Sequence, residues 1–467
     1  MLLAFDVGTT AMKCILFDRE FKELFYSSRE YSIKTPREGI AELDPEVYFN
    51  TFCECVSEIK ASGINIRKIS SITFTTQGET FIPVDENGRV LGPAIVWLDT
   101  RAEKEAEYIK EKISIVDIYS HTGLPDIDGA LPAAKILWLS KKQPEIFKNI
   151  HKILLLEDYL IYRLTGKFVS EKSLQSSTGW YDINKETLFF EMAELCGIKD
   201  EMLPEILPCA TVVGRVKKEF GFGEDTVVTT GAMDQISSAV GVGNIREGIF
   251  SETTGTALVV GITAEKPTFD VSAPITVYKH FDEKFIYMPY FATAGMSLKW
   301  FRDTFMPEAS YSDIDRLAEK SEAGSRGVIM SPDLSHGGGF CGITLSSDIS
   351  DMARSVLEAV AFTLRSFIEL SEKKEIDIKE IYSLGGGSKS RLWGQIKADV
   401  CQKNIIPVDF SQTTALGAAV LGSLAIGIYE SVDEALKRIN TSGNAIKPDE
   451  NNFEIYNETY RKWRIEV

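Results

Sequence analysis

The sequence predicts a mixed α/β fold divided into two related domains, and three observations carry that prediction. The chain has 467 residues, more than one hydrophobic core usually serves. Its two halves open in the same way, with a strand, a Gly/Thr turn and a second strand. Strand-like apolar runs then alternate with long helical patterns, as at 352–370, the rhythm of an α/β architecture.

Taken in order, residues 2–7 read as a strand, Gly8-Thr9-Thr10 as a turn and 13–17 as the returning strand. Asp44-Pro45 is a good helix start, an N-cap followed by proline at the first helical position. Tyr48, Phe52, Val56 and Ile59 then recur at helical spacing and form one stripe to bury. Residues 69–75 are strand-like, and Asp85-Glu86-Asn87-Gly88 predicts a hairpin turn between two strands. The second half repeats the opening, with 249–253 as strand, Thr254-Gly255-Thr256 as turn and 258–262 as strand. Gly241, Gly243 and Gly248 cluster at the expected boundary, giving domains 1–243 and 244–467.

Composition narrows the function. Hydrophobic residues make up 44% and charged residues 25%, the balance of a soluble globular protein. A net charge of −17 argues against a nucleic-acid or anionic-membrane partner, because phosphate backbones reward Lys and Arg. It leaves nucleotide binding open, since a local nest of N–H groups holds a phosphate in any charge background. The start of the chain lacks a basic leader with an apolar core, and no apolar run approaches the ~20 residues of a membrane helix, so a cytoplasmic protein is expected. Seven cysteines without paired spacing fit reduced thiols, and four scattered histidines give a zinc site little support.

Four segments carry the chemistry. In Asp6-Val7-Gly8-Thr9-Thr10-Ala11-Met12-Lys13, a glycine turn lets amides approach an anion, hydroxyls add donors and Lys13 adds charge. Asp6 at the strand end suits Mg²⁺; an ordinary hairpin with a buried aspartate is the alternative. Thr254-Gly255-Thr256 is the matching turn, a second grip on one polyphosphate or simply a turn. Residues 381–384, Gly385-Gly386-Gly387-Ser388 and a helix from about 390 to 401 make a strand, glycine turn and helix that brings a helix N-terminus to a nucleotide. The dinucleotide spacing Gly-x-Gly-x-x-Gly fails at Ser390, so hydride transfer loses its main support. In Gly231-Ala232-Met233-Asp234-Gln235, Asp234 lies between a strand end and a helix start, as an N-cap or as a reactive carboxylate at the domain junction.

With these segments the chain resembles the FGGY carbohydrate kinases, a family of xylulokinases, gluconate kinases and glycerol kinases. The resemblance runs nearly end to end and includes Gln77-Gly78-Glu79-Thr80, Trp97-Leu98-Asp99-Thr100-Arg101, and residues 132–138, 294–300, 385–393 and 414–419. It implies two actin-like (ribonuclease-H-like) α/β domains with the nucleotide cleft between them, ATP as co-substrate and Mg²⁺ at Asp6. By the same resemblance Gly8, Thr9, Thr10 and Lys13 face the phosphates, and Gly255 and Thr256 form the second phosphate loop. Gly295 and Lys299 lie nearby, and Gly386, Gly387 and Arg391 line the nucleotide side. Asp234 matches the catalytic base, and the acceptor is met by Gln77, Gly78, Glu79, Trp97, Asp99, Asp234 and Gln235. The implied partner is a small sugar or polyol, and a homodimer stays open.

The acceptor end departs from the glycerol kinase pattern. Gly78 stands where those enzymes carry arginine and Ala130 where they carry tyrosine, both expected to open the pocket; Lys299 replaces a usual glutamine. A pentulose such as xylulose is the favoured acceptor, with glycerol, a tetritol or pentitol, or gluconate as alternatives. An actin- or chaperone-like ATPase acting on a protein partner is the reading from another class. It shares the phosphate loops but has no use for Gln77, Glu79, Trp97 and Asp99 as a hydroxyl-lined pocket. A silent sugar sensor would lack Asp6 or Asp234, and both are present.

Overall fold

The structure is a computed structural model that describes residues 1–408, 410, 412–439 and 443–466. It divides into two compact units. The first comprises Met1–Ile245, Phe269–Phe285 and Gln412–Ile439; the second comprises Arg246–Thr268, Ile286–Ser411 and Asn440–Val467. After leaving the first unit at residue 245, the chain therefore returns to it twice.

The first unit is built on a six-stranded sheet in the order Val212–Arg215, Val227–Met233, Ser71–Thr76, Leu2–Val7, Ala11–Phe17, Glu23–Glu30. Leu2–Val7 pairs antiparallel with Ala11–Phe17 and parallel with Ser71–Thr76, which is parallel to Val227–Met233. The two central strands are buried along their whole length, as parallel strands covered on both faces must be. The helix Pro45–Ala61 starts where the cap signal put it, with the Asp44 carboxylate accepting the Glu46 N–H at 3.0 Å. Its stripe of Tyr48, Phe52, Val56 and Ile59 is buried. Phe52 meets Phe5 at 4.9 Å between ring centroids, and Phe5 stacks on Phe74 at 5.2 Å. Each fully buried ring contributes ~1.5–3 kcal/mol, so this stripe holds the helix to the sheet.

One expected element is smaller than predicted. The turn at 85–88 forms, with Asp85 accepting the Asn87 and Arg89 N–H groups at 2.8 and 2.9 Å. The second strand of that hairpin is broken in two: a bridge between Val84 and Val90, then the short strand Ala94–Ile95, whose Ile95 pairs antiparallel with Phe81. Gly92-Pro93 lies between the two pieces, and proline cannot extend a ladder. On its other edge Phe81–Val84 pairs with Lys152–Leu155, far along the chain.

In the second unit the strands run in the order Leu258–Ala264, Ile249–Thr254, Glu380–Leu384, Asn404–Pro407. The first pair is antiparallel and the other two pairings are parallel. This repeats the hairpin-plus-two-parallel-strands pattern of the first unit, so the similarity of the two openings is a similarity of topology. The 25-residue helix Ile349–Lys373 packs against Arg391–Cys401, where Trp393 Nε1–H donates to the Leu357 carbonyl at 3.0 Å.

Candidate active site

The first loop is closed by its own glycine. The Gly8 N–H donates to the Ala11 carbonyl at 3.0 Å, and the Gly8 carbonyl accepts the Tyr31 hydroxyl at 2.6 Å. Gly8 thus shapes the turn, and the Thr9 and Thr10 amides are what it offers an anion. Asp6 and Lys13 are cross-strand partners, 3.1 Å apart as an ion pair. Trp97 ties the neighbouring segment to this loop by donating from Nε1 to Thr9 Oγ1 at 2.8 Å.

Asp234 is the first residue of the helix Asp234–Val242, and Met233 occupies the cap position. Its Oδ1 accepts the Gln235 N–H at 2.7 Å, a bond to its own neighbour that caps nothing further along the helix. The N-cap alternative is therefore not met. The helix is seated by a close crossing with Thr413–Ala425: a Cβ on Gly417 would lie 1.7 Å from the Ser237 carbonyl oxygen. That contact explains why residue 417 is glycine. Burial pushes the Asp234 carboxyl up to about 7; the Gln235 N–H opposes that and the Asp6 charge adds to it.

Glu79 lies in the same field. Burial and then the Asp234 charge push it up to about 7, against the pull of Lys135 and with Asp128 adding to the rise. Its backbone is left-handed, φ 56°, an uncommon conformation for a residue with a side chain. The Ser177 hydroxyl accepts its N–H at 3.4 Å. Two further residues share this environment that the sequence did not single out. The Tyr278 hydroxyl is held well above its usual range by burial and by the charges of Glu79, Asp234 and Asp128. Lys135, fully buried, donates to the Val96 carbonyl at 2.9 Å, and burial brings it down to about 8.

Other expected acceptor residues are differently employed. Gln77 is buried, with Nε2 3.3 Å from the Tyr48 hydroxyl and Oε1 without a partner among the described residues. Gln235 is exposed. Asp99 is fully buried, and its oxygens accept the Ala41 N–H at 2.7 Å, the Arg101 N–H at 3.0 Å and the Arg101 guanidinium at 2.8 and 2.7 Å. Such a carboxylate holds a loop and has little capacity left for a ligand. Gly78 also corrects an expectation. A Cβ there would lie 3.0 Å from both Met233 Sδ and Ser177 Oγ, so the side of Gly78 where a side chain would start is closely packed and is not open space.

In the second unit, Gly255, Thr256, Gly295, Lys299, Gly386 and Gly387 line one cavity of about 460 Å³, while Arg391 is exposed outside its lining. Lys389 and Ser390 line it as well. Gly255 closes its turn as Gly8 does, donating to the Ala257 carbonyl at 3.0 Å. No atom lies within 4 Å of a Cβ built on Gly255, and a Cβ on Gly295 would sit 1.9 Å from the Gly255 carbonyl oxygen. The loop is thus open on one side and backed on the other by the N-terminus of the helix Ala294–Phe305, a favourable place for phosphate. Beneath it, fully buried Lys397 donates to Glu252 at 2.6 Å and to Thr254 Oγ1 at 2.8 Å. Lys299 is paired with Asp303.

A family model for the N-terminal domain of the FGGY family of carbohydrate kinases matches residues 1–241, and the model for the C-terminal domain matches 251–426. The chain belongs to the FGGY family of carbohydrate kinases. Among its relatives, a glycerol kinase of Thermococcus onnurineus is 30% identical, over 100% of this chain and 97% of its own. A gluconokinase of Bacillus subtilis is 27% identical over 94% and 90%. The solved xylulose kinase of Rhodospirillum rubrum superposes with a TM-score of 0.93 at 25% identity, over 100% of this chain and 98% of that one.

As an FGGY kinase the protein takes ATP as co-substrate and acts on a sugar or polyol, which sets aside the actin- or chaperone-like ATPase working on a protein partner. Among the described residues no helix is long and apolar enough to cross a membrane. A pH profile tests the electrostatics of the first unit. If Asp234 serves as a base, which works ionised, kcat/KM of this FGGY kinase should rise through about pH 7 as its carboxyl, pushed up to about 7, loses its proton. With Glu79 equally raised, the limb belongs to the pair. A limb at the ordinary carboxylate position near pH 4 would show that neither group governs the rate.

Proposed function

We propose that this kinase transfers the γ-phosphoryl group of ATP to a hydroxyl of a neutral sugar or polyol, a pentulose such as xylulose foremost, with Asp234 as general base. The observation that carries the reading is the acidic set of Asp234, Glu79 and Asp128: the charges of Asp234 and Asp128 act on Glu79, and all three act on Tyr278. Carboxylates accept hydroxyl hydrogen bonds well. The same field opposes a carboxylate-bearing acceptor, which weighs against gluconate despite the gluconokinase among the relatives. The xylulose kinase among the similar structures supports the choice of a pentulose.

In this reading Asp234 takes the proton of the attacking hydroxyl, and Glu79 orients the acceptor by accepting from its other hydroxyls. Trp97, 39% exposed, supplies an apolar wall for the carbon skeleton. In the first unit Thr9, Thr10 and Lys13 are assigned to phosphate; in the second unit Gly255 and Thr256 are assigned to phosphate and Gly295, Lys299, Gly386 and Gly387 to the nucleotide. Phosphoryl transfer depends on alignment and charge neutralisation more than on covalent help, which is what such a set supplies.

Mg²⁺ fits the donor set only as a nucleotide-borne ion. Among the described residues no group of three or more His, Cys, Asp or Glu side chains is arranged to hold a metal. Asp6, whose charge acts on Asp234, is the carboxylate that would hold it, since Mg²⁺ in kinase sites leans on one or two carboxylates, phosphates and water. When bound, the ion offsets phosphate charge.

A coupled ADP-release screen over pentuloses, pentitols, tetritols, glycerol and gluconate tests the acceptor: a neutral pentulose is expected to give the highest kcat/KM, and gluconate as the best substrate would overturn the reading. In the same assay Glu79→Ala should raise the KM of the best acceptor at least ~10-fold, the loss of one charge-assisted hydrogen bond. The KM for ATP should stay nearly constant. An unchanged acceptor KM would remove Glu79 from the pocket.

A further inference from the structure

We propose, on the reading of Asp234 as the general base, that Glu157 is a positioning residue which fixes, through the Gly231 amide, the backbone bulge that presents Asp234. The strand Val227–Met233 follows Ser71–Thr76 in parallel register up to Thr229, then slips and resumes at Ala232. Residues 230 and 231 therefore leave the regular ladder three residues before the base, as a bulge does next to a site. A Cβ on Gly231 would lie 1.8 Å from the Phe74 carbonyl oxygen, so only glycine lets the two backbones come this close.

An amide outside the ladder needs another acceptor when it is buried. The Gly231 N–H finds Glu157 Oε1 at 2.6 Å. Glu157 is fully buried on the first turn of the helix Leu156–Thr165, and its other oxygen has no partner among the described residues. A second side chain holds the strand just past the bulge: the Met233 N–H donates to Ser173 Oγ at 3.0 Å, and that hydroxyl donates to buried Glu171 at 2.6 Å. The Gly231 and Met233 amides are thus held by side chains from elsewhere in the first unit.

Burial, with the charges of Glu171 and Asp158 adding to it, holds the Glu157 carboxyl well above the usual range, against the pull of the Gly231 amide. Whatever its charge, the bond asks of Glu157 only an acceptor oxygen, and a glutamine carbonyl can accept the same bond. Neither Glu157 nor Ser173 touches the acceptor or ATP in this scheme, so their loss should appear in kcat and not in KM.

The test is steady-state kinetics of the full chain, with circular dichroism and Tm recorded for each variant. Glu157→Leu and Ser173→Ala are expected to lower kcat roughly 10–100-fold, the scale of a small displacement of a reacting group, with the KM for ATP unchanged. Glu157→Gln is expected to restore kcat to within about threefold, a factor worth less than one hydrogen bond. Parental kcat in folded Glu157→Leu overturns the proposal, and should Glu157→Leu not fold, Ser173→Ala and Glu157→Gln decide. A loss in Glu157→Gln as large as in Glu157→Leu also overturns it, because acceptance of the Gly231 bond would then not be what matters. Asp234→Asn run alongside separates the two readings. Full turnover there sinks the base assignment, whereas an inactive Asp234→Asn beside a normal Glu157→Leu sinks the positioning role alone.

Discussion

Asp234→Asn is expected to lower kcat roughly 10²–10⁴-fold, the usual contribution of a positioned general base, while the affinity for ATP stays within about a factor of two. The substitution is nearly isosteric and keeps the oxygen that accepts the Gln235 N–H at 2.7 Å. It also leaves the Gly417 crossing that seats the helix untouched. What it removes is a carboxyl group pushed up to about 7, close to the working pH, where a base combines ionisation with proton affinity. Because burial disfavours the ionised form, the asparagine protein should be at least as stable as the parent near pH 8. Near-normal kcat at saturating Mg·ATP would end the assignment.

The second large effect concerns the phosphate loop of the second unit. Gly255→Val is expected to weaken ATP binding at least ~10-fold, or 1.4 kcal/mol, without loss of stability. The new side chain meets no protein atom within 4 Å of its Cβ, so the fold can accommodate it beside the cavity that Gly255 lines. Gly295→Ala should weaken binding by the opposite route, its Cβ lying 1.9 Å from the Gly255 carbonyl oxygen and pushing the loop from behind. That variant should lose stability as well, since backbone must move. Calorimetric titration with ATP checks both; unchanged affinity in folded Gly255→Val would make this turn only a turn.

Legibility in the sequence followed the range of the interactions. The Asp44 cap, the Tyr48–Ile59 stripe and both Gly/Thr turns were readable because each is decided by residues within a few positions of one another. The hairpin after Phe81 was overread in length because Gly92-Pro93 interrupts its second arm, which pairs at Val90 and again at Ile95. Lys135 lies in a segment the family resemblance marked, yet its burial and its bond to Val96 are tertiary facts. Asp128 and Tyr278 carried no local signal at all.

By itself the sequence determined the α/β class, the repeated hairpin, the kind of chemistry and Asp234 as the residue to ask about, since periodicity, turns and motif spacing are properties of neighbouring residues. Only the tertiary structure decided which carboxylates have capacity to spare. Asp99 and Glu79 are equally plausible on paper, but one is saturated by Arg101 and Ala41 while the other lies in the field of Asp234. It likewise decided that Gly78 is packed against Met233 and Ser177 and that Glu157 holds the Gly231 amide. The physical reason is the same in each case: desolvation and hydrogen-bond satisfaction are set by groups that come together only when the chain has folded.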